Sequence, residues 1–296
     1  MKVIPFSIPK TQKEAIRVQV DSMKHFYDNL HQHPEIQITL ITRSEGVLIA
    51  SDYIGNFKEN DVFVIGKNQA HVFRNDKIYF DPQNDLIAEN VSIFFDAQYF
   101  GDFFWNLDEM ETVRRFVAEA AGGLRIEGIT AQHIATLLKD IVHKKGLDKL
   151  VAFFTILKVI SESAEYKPLA AVEKYLQNPS FRESIGQYDS DRMNTILKYT
   201  FQEYQNTITI EDVARVANLT PEAFCRYFKL RTRKTYWRFL NEVRINHACK
   251  LLADKNLLIA DVAYQVGFNN LSNFNRVFKM IMHETPRDYA KRVMQY

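Results

Sequence analysis

Cysteine is scarce in this 296-residue chain, which contains only Cys225 and Cys249. Two cysteines cannot form the disulfide framework of a small secreted domain, so a reducing, cytoplasmic setting is expected. No basic and apolar leader opens the sequence, and no apolar run approaches the roughly 20 residues of a membrane helix. We therefore expect neither secretion nor a membrane partner.

The short signatures of common catalytic sites are also missing. The sequence contains no GxSxG, Walker A, HExxH or paired CxxC pattern, so the chain is not expected to be an enzyme or to need a cofactor. Its hydrophobic fraction of 46% and charged fraction of 25% are those of an ordinary globular protein. The length suggests two domains, with room for a small helical insert.

Charge is distributed unevenly along the chain. From Asp191 onward there are 17 Lys and Arg against 10 Asp and Glu, a net charge of +7. The remainder has 21 against 26, a net charge of −5, which adds up to the overall +2. A basic C-terminal part beside an acidic N-terminal part indicates a polyanionic partner for the former alone.

The stretch Leu257–Thr285 is predicted to form two short helices joined by a tight turn. Apolar residues recur at spacings of three and four until Gly267, which ends the first helix. Asn269 and Asn270 are suited to cap the second helix. The side chains that this second helix would expose are short polar groups and one arginine: Asn270, Ser272, Asn273, Asn275 and Arg276.

These exposed residue types suit contact with DNA bases. Asparagine can pair bidentately with adenine, and arginine with guanine, in the major groove. A DNA-binding helix-turn-helix is therefore the functional hypothesis. A plain helical hairpin with a solvated polar face is the alternative for this stretch taken alone.

An internal repeat favours the functional hypothesis. Asp212-Val213-Ala214 recurs as Asp261-Val262-Ala263, and five further residues recur at a spacing of fifty: Phe224, Arg226, Phe228, Lys229 and Thr235 as Phe274, Arg276, Phe278, Lys279 and Thr285. Thr220 and Pro221 are a cap followed by a first-turn proline. A helical pattern over Tyr236–Ala253 joins the copies, which would suit two successive major grooves about 34 Å apart.

The candidate DNA contacts lie on the two second helices. They are Thr220, Glu222, Ala223, Arg226 and Lys229 in the first copy, and Asn269, Asn270, Asn273, Arg276 and Lys279 in the second. The second helix is richer in side chains that can bind a base bidentately, so we expect it to discriminate bases more strongly. Glu222 can accept from cytosine, whereas Arg226 and Lys229 are expected at phosphates. The repeated phenylalanines are expected in the core.

The pattern GF-x4-NF-x-R-VFK-x5-TP-x2-Y, which ends at Tyr289, resembles the signature of the AraC/XylS family of bacterial transcription regulators. The resemblance covers Asp191 to Val293 and implies double-stranded DNA as partner, with RNA polymerase as a possible second one. His283 and Arg233 stand where the family usually has a glycine after each recognition helix. Since glycine commonly supplies a positive φ there, both helix ends are expected to be built differently.

The N-terminal part has a different pattern. The stretch from Met1 to about Asp21 has extended-looking pieces and no strong pattern. Short β-branched runs with regular turn signals from Met23 to Asp96 predict a sandwich or barrel. Four side chains alternate and would share one face of a continuous strand: His31, His33, Glu35 and Gln37. Pro34 interrupts them, which indicates an edge or a bulge.

This part resembles the cupin-like sensor domain of many AraC-type regulators, through the run His31–Glu35 and the later Asn60-Asp61, Ile65-Gly66 and His71. The resemblance implies a pocket for a small-molecule effector of unknown identity, lined by His31, His33, Glu35, Gln37 and His71. Gln37 stands where metal-binding cupins often have a glutamate, and glutamine is a poor metal ligand. No metal is therefore expected, although the three histidines with Glu35 keep that alternative open.

Helical periodicity runs from Leu107 to Ser163, with breaks at Gly122-Gly123 and Gly146. In similar regulators such helices form a dimer interface, and covering the barrel is the equally weighted alternative. The predicted domains are a cupin-like barrel (1–106), a helical dimerisation segment (107–166), a linker (167–190) with a helix around 169–176, and a double helix-turn-helix domain (191–296).

The predicted fold class is therefore α+β, and the predicted function is a homodimeric, effector-controlled DNA-binding transcription regulator. Two other functions remain open at this point. One is a metal-dependent cupin enzyme fused to a helical domain, and the other is an effector-independent DNA-binding protein.

Overall fold

The structure is a computed structural model that describes residues 4–5, 14–51, 53–169, 187–232, 234–252 and 257–293. Arg233 and positions 170–186, which hold most of the predicted linker and of the helix expected around 169–176, lie outside the described residues. The chain divides into two compact units, Met1–Ser190 and Asp191–Tyr296. The first is rich in strands and the second is helical, so the α+β prediction is confirmed.

The described strands of the N-terminal unit form two sheets. They are β1 (Ile4–Pro5), β2 (Ile16–Met23), β3 (His31–Gln32), β4 (Ile36–Arg43), β5 (Gly46–Ala50), β6 (Tyr53–Phe57), β7 (Val62–Ile65), β8 (His71–Asn75), β9 (Ala88–Phe95), β10 (Leu124–Ile126) and β11 (Tyr166–Pro168). The first sheet has the order β1-β3-β8-β5-β6, and the second β11-β10-β7-β4-β9-β2. Over the described residues neither sheet closes on itself, so the arrangement is an open two-sheet one in place of a closed barrel.

The second sheet includes strands that lie outside the region predicted to form strands, Met23 to Asp96. Strand β2 starts at Ile16, in a stretch where extended-looking pieces but no strong pattern were expected, and it pairs with β9 over its whole length. Strand β10 follows the predicted break at Gly122-Gly123 and pairs with β11. Lys167 and Pro168, predicted to open the linker, therefore lie in a sheet.

The described part of the N-terminal unit also has four α-helices. Helices α1 (Gly101–Trp105) and α2 (Glu111–Glu119) precede β10, and α3 (Gly128–Ile141) and α4 (Gly146–Ser161) lie between β10 and β11. They cover the outer face of the second sheet, where for example the ring centroids of Phe95 and Phe153 are 5.0 Å apart. A second core, which includes Phe57, Phe63 and Phe73, fills the space between the two sheets. The central strands β4, β7 and β9 of the second sheet are thus mostly buried on both faces.

The C-terminal unit consists of helices in its described part: α5 (Gln187–Glu203), α6 (Ile210–Val216), α7 (Pro221–Thr232), α8 (Tyr236–Leu251), α9 (Ile259–Gln265), α10 (Leu271–Met282) and α11 (Pro286–Val293). The pairs α6–α7 and α9–α10 are the two predicted copies. They are joined by α8, whose 16 residues span about 24 Å. The four repeated phenylalanines are fully buried, as predicted: Phe224, Phe228, Phe274 and Phe278.

Over the described residues, no helix combines the length and the apolar character needed to cross a membrane.

Candidate nucleic-acid interface and ligand pocket

The two copies have the same turn between their helices. Asn218 and Gly267 occupy equivalent positions and both have a positive φ, of 54° and 91°. The amide after each donates to an equivalent alanine carbonyl, from Leu219 to Ala214 at 2.8 Å and from Phe268 to Ala263 at 3.0 Å. The sequence repeat therefore encodes a repeated backbone geometry.

Side-chain caps fix where each second helix begins. Oγ1 of Thr220 accepts from the backbone N of Ala223 at 3.3 Å. In the second copy, Oδ1 of Asn270 accepts from the backbone N of Asn273 at 3.1 Å. Asn270, and not the neighbouring Asn269, is thus the cap, and its side-chain oxygen is engaged by its own helix.

The end of α10 corrects one expectation. His283 adopts a left-handed conformation, with φ 61° and ψ 8°, and its amide donates to the Lys279 carbonyl at 3.0 Å. The helix therefore keeps a positive φ at its end without a glycine. Histidine is among the non-glycine residues that tolerate this region best. The equivalent Arg233 lies outside the described residues.

The predicted contact residues are accessible on α7, α10 and the turns before them. All are exposed except Ala223, which is half-buried. Arg276 donates from Nη2 to Oδ1 of Asn273 at 2.9 Å. Since the two side chains are three positions apart on one helix face, this bond holds the arginine and the amide side by side.

A groove beside α10 includes Arg287, which is not among the predicted DNA contacts. It has a volume of about 500 Å³, and its lining includes Leu271, Asn275, Arg276, Lys279 and Arg287. Arg287 directly follows the Thr-Pro pair at the start of α11. Its position in the sequence motif could therefore have identified it as a candidate DNA contact. Lys279 and Arg287, the cations that lie in this groove with Arg276, suit contact with a phosphate backbone.

Other basic residues of the unit hold the fold together. The Arg244 guanidinium donates to the carbonyls of Tyr204 at 2.8 Å and Asn206 at 2.9 Å, and it lies over the ring of Phe268. Lys234 pairs with the buried Glu242 at 2.6 Å. Arg244 and Lys234 thus stabilise the fold, whereas α7, α10 and α11 each carry exposed cations.

The comparison with known families agrees with this geometry. A model described as "Helix-turn-helix domain" matches residues 213–292, which begin within α6 and include the rest of both copies. The C-terminal domain is an AraC-type helix-turn-helix domain. This confirms the resemblance drawn from the motif that ends at Tyr289.

Relatives extend the similarity to most of the chain. An "Uncharacterized HTH-type transcriptional regulator YdeC" of Bacillus subtilis (strain 168) is 37% identical over 102 residues, which are 34% of this chain and 35% of the relative. A similarly described regulator of Staphylococcus aureus (strain COL) is 22% identical over 274 residues, 93% of this chain and 33% of the relative. The chain thus spans about a third of the length of the curated relatives it matches.

The similarity of this chain to solved structures is weaker than its similarity to these relatives. An AraC-type regulator from Chromobacterium violaceum is 17% identical with a TM-score of 0.34, over 37% of this chain and 98% of the other. Fatty-acid-bound ToxT from Vibrio cholerae is 16% identical with a TM-score of 0.35, over 95% and 96%. At these scores neither likeness carries an argument.

The predicted ligand residues come together in the N-terminal unit. Pro34 lies where the chain leaves the first sheet after β3 and enters the second at β4, so the four alternating residues do not share one strand. His31 pairs with His71 across β3 and β8. The ring centroids of His31, His33 and His71 are 4.3 to 6.2 Å apart.

Burial determines the charge of these histidines. It lowers the pKa of His31 to about 4. It also lowers the pKa of His33 against the opposing effect of Gln37 and Glu35. The pKa of His71 falls well below its ordinary value because of burial and then of the two neighbouring histidines. All three rings are therefore neutral at pH 7.

Gln37 links the histidines to the interior of the sheet. Its Oε1 lies 3.2 Å from Nε2 of His33, and its Nε2 donates to Oγ of Ser92 at 3.2 Å. Glu35 is buried beside His33, with 3.8 Å between its Oε2 and Nδ1 of that ring. In the described part of the chain, no group of three or more His, Cys, Asp or Glu side chains is arranged to hold a metal ion.

Acid should destabilise the N-terminal unit. His31 has its pKa lowered from 6.5 to about 4 on folding, so its contribution to stability is complete above pH 6.5 and is lost as pH falls toward 4. The loss from this residue is about 3 kcal/mol. Urea unfolding of the unit between pH 7 and 4 should show the free energy of unfolding falling as the pH falls. His31→Gln should reduce this pH dependence. His133→Gln, at an exposed site on α3, should not, and an unchanged slope in His31→Gln would contradict the assignment.

Proposed function

We propose that this chain is a sequence-specific DNA-binding transcription regulator controlled by a small molecule in its N-terminal unit. The supporting observation is the pair of geometrically equivalent helix-turn-helix copies, each with an exposed polar face on its second helix. The cytoplasm is the setting we propose, since Cys225 and Cys249 are both free thiols. A regulator that activates transcription would also contact RNA polymerase.

The two recognition helices differ in what they can read. Helix α10 presents the hydrogen-bonded pair Asn273 and Arg276, whose amide and guanidinium can contact base edges. Helix α7 presents Glu222, Arg226 and Lys229, of which the two cations suit phosphates. The second copy therefore supplies most of the sequence preference, and the first supplies more of the sequence-independent affinity.

Alanine at Asn273 or at Arg276 should flatten the preference at particular base pairs. Each loss should cost about 1–3 kcal/mol, or roughly tenfold or more in affinity for the preferred site. Since the two side chains bond to each other, the double variant should lose less than the sum of the single losses. Selection from random DNA, followed by titration of the enriched site, measures both effects.

Lys229→Ala is the matched control for this prediction. It removes an exposed cation from the equivalent helix and should weaken binding to all DNA sequences alike. If Asn273→Ala and Arg276→Ala keep the parent base preferences at reduced affinity, then α10 does not read bases.

We also propose that the chain forms a homodimer through α3 and α4. Helix α4 buries one face against the second sheet, yet it leaves Leu147 74% and Val151 57% exposed, four positions apart on the other face. An exposed apolar pair on a helix face suits helix–helix packing. The proposed domains are a sensor over 1–106, a dimerisation segment over 107–166, a linker, and the DNA-binding domain from 191.

Leu147→Glu with Val151→Glu should convert the dimer to a monomer, because two carboxylates would be buried without partners in the interface. Sedimentation at micromolar concentration measures the change. Ile78→Glu, at a 54% exposed apolar site elsewhere in the unit, should stay dimeric. A monomeric parent protein, with and without DNA, would refute the proposal.

A further inference from the structure

Arg244, in the middle of the connecting helix α8, holds the chain where it enters the first helix-turn-helix copy. Its side chain is buried, with 9% exposed. The guanidinium donates from Nε to the carbonyl of Tyr204 at 2.8 Å and from Nη2 to the carbonyl of Asn206 at 2.9 Å. These two carbonyls belong to the loop that runs from α5 to Thr209, the cap of α6. The arginine therefore joins α8 to the start of the first copy.

The same guanidinium lies against the turn of the second copy. Its Cζ is 5.6 Å from the ring centroid of Phe268, which directly follows the positive-φ residue Gly267. Phe268 is itself buried, and its ring centroid is 5.3 Å from that of Phe274 on α10. A guanidinium over an aromatic face is attracted to it, and more strongly where both are removed from water. Arg244 is therefore also joined to the core of the second copy.

The backbone of the second turn approaches the same loop directly. A Cβ at Gly267 would lie 2.5 Å from the carbonyl oxygen of Tyr204 and 3.0 Å from Nη2 of Arg244. The ring of Tyr204 stacks on His247, three positions further along α8, with centroids 4.3 Å apart and planes 9° from parallel. The loop into the first copy, the connecting helix and the turn of the second copy thus meet around Arg244.

We propose that Arg244 is a positioning residue that fixes the distance and angle between the two recognition helices, and so the spacing between the two base sequences that they read. This inference rests on the proposed function, because it requires both helices to read DNA. Two linked readers bind one site together only if their geometry matches its spacing. One base pair more or less changes the separation by about 3.4 Å and the rotation by roughly 34–36°. A rigid pair of helices should therefore reject such sites.

A guanidinium suits this position better than an ammonium. Its planar fork donates to two carbonyls while its face remains on the ring of Phe268. Arg244→Lys keeps the positive charge, but it replaces the fork and the stacking face by a compact ammonium. Each copy should then remain folded, while the orientation of one copy relative to the other becomes less fixed.

The test uses the full chain and the duplex site that it enriches from random DNA. The spacer between the two conserved blocks is kept at its preferred length, or made one base pair shorter or longer, and affinities are titrated at one salt concentration. The parent protein should bind the altered spacers at least tenfold more weakly than the preferred one. For Arg244→Lys this ratio should fall to threefold or less, while selection should return the base preferences of the parent within each block.

Arg238→Lys is the matched control. Arg238 lies on the same helix, but its Nε donates to Glu242, four positions along α8, at 3.2 Å. The same exchange there leaves the loop and the second turn unchanged, so the spacer preference of the parent should be kept. Phe268→Leu is a second variant, which removes the ring beneath the guanidinium and keeps an apolar side chain. It should lower the spacer ratio in the same direction as Arg244→Lys.

Three results would overturn the proposal and leave the proposed function intact. The first is a parent protein that binds all three spacers equally, and the second is an Arg244→Lys protein that keeps the spacer ratio of the parent. The third is loss of hydrogen-exchange protection in α7 or α10 of Arg244→Lys, since the arginine would then hold a copy itself together. Enrichment of no sequence by the parent protein would overturn the proposed function, and this inference with it.

Discussion

Phe278→Ala is expected to unfold the second helix-turn-helix copy and to abolish sequence-specific DNA binding. The ring is fully buried, with centroids 5.6 Å from those of Phe274 and Tyr289. It therefore joins α10 to α11, and its loss leaves a cavity where those helices meet. Truncating a buried phenylalanine costs about 3–5 kcal/mol, which is a large part of the stability of a domain of this size.

Hydrogen exchange of the α9 and α10 amides reports this loss locally, without requiring both units to unfold together. Met280→Ala is the control, because Met280 lies on the same helix and is 53% exposed. The Met280→Ala substitution should leave the protection of these amides from hydrogen exchange nearly unchanged. If Phe278→Ala retains the protection of the parent protein, the phenylalanine core is not what holds the second copy together.

Gly267→Ala is expected to destabilise the same copy by about 2–4 kcal/mol, since strain at a positive φ and a steric clash add. The residue has φ 91°, which side chains rarely adopt. A Cβ at this position would lie 2.5 Å from the Tyr204 carbonyl oxygen and 2.9 Å from that of Gln205. Both oxygens belong to backbone that Arg244 anchors through Tyr204 and Asn206, so they cannot move away cheaply.

Asn218→Ala separates the two effects in the equivalent turn of the first copy. Asn218 already has a Cβ and a φ of 54°, so alanine there tests the cost of the conformation alone. The expected cost is about 0.5–1 kcal/mol. Equal losses for Gly267→Ala and Asn218→Ala, by exchange of the amides in each turn, would show that the close approach to Tyr204 contributes nothing.

The C-terminal domain was the more predictable one because its signals are local. Apolar spacing, a cap and a terminating residue lie within a few positions of each other, so α9 and α10 could be located from the stretch around Gly267. The exception was His283, where the residue type differs from the usual glycine and the backbone does not. The sequence identifies the residue at such a position, but it does not show whether the backbone keeps the positive φ that glycine usually supplies there.

The N-terminal unit was less predictable because its structure depends on pairing between distant strands. The alternation Ile16, Arg17, Val18, Gln19 was present in the sequence, but a short alternating run becomes a strand only if a partner such as β9 is available. Pro34 was expected to interrupt a strand, and it lies where the chain changes sheets. The pairing of β10 with β11, across two helices, had no local signal.

We propose that the two equivalent recognition helices read two successive major grooves of DNA. Selection from random double-stranded DNA with the full chain, repeated at 50 and at 200 mM salt, tests it most directly. We expect one enriched site with two short conserved blocks about one helical turn apart, bound much more weakly at the higher salt. Enrichment of no sequence, or of a single block bound equally at both salt concentrations, would contradict it.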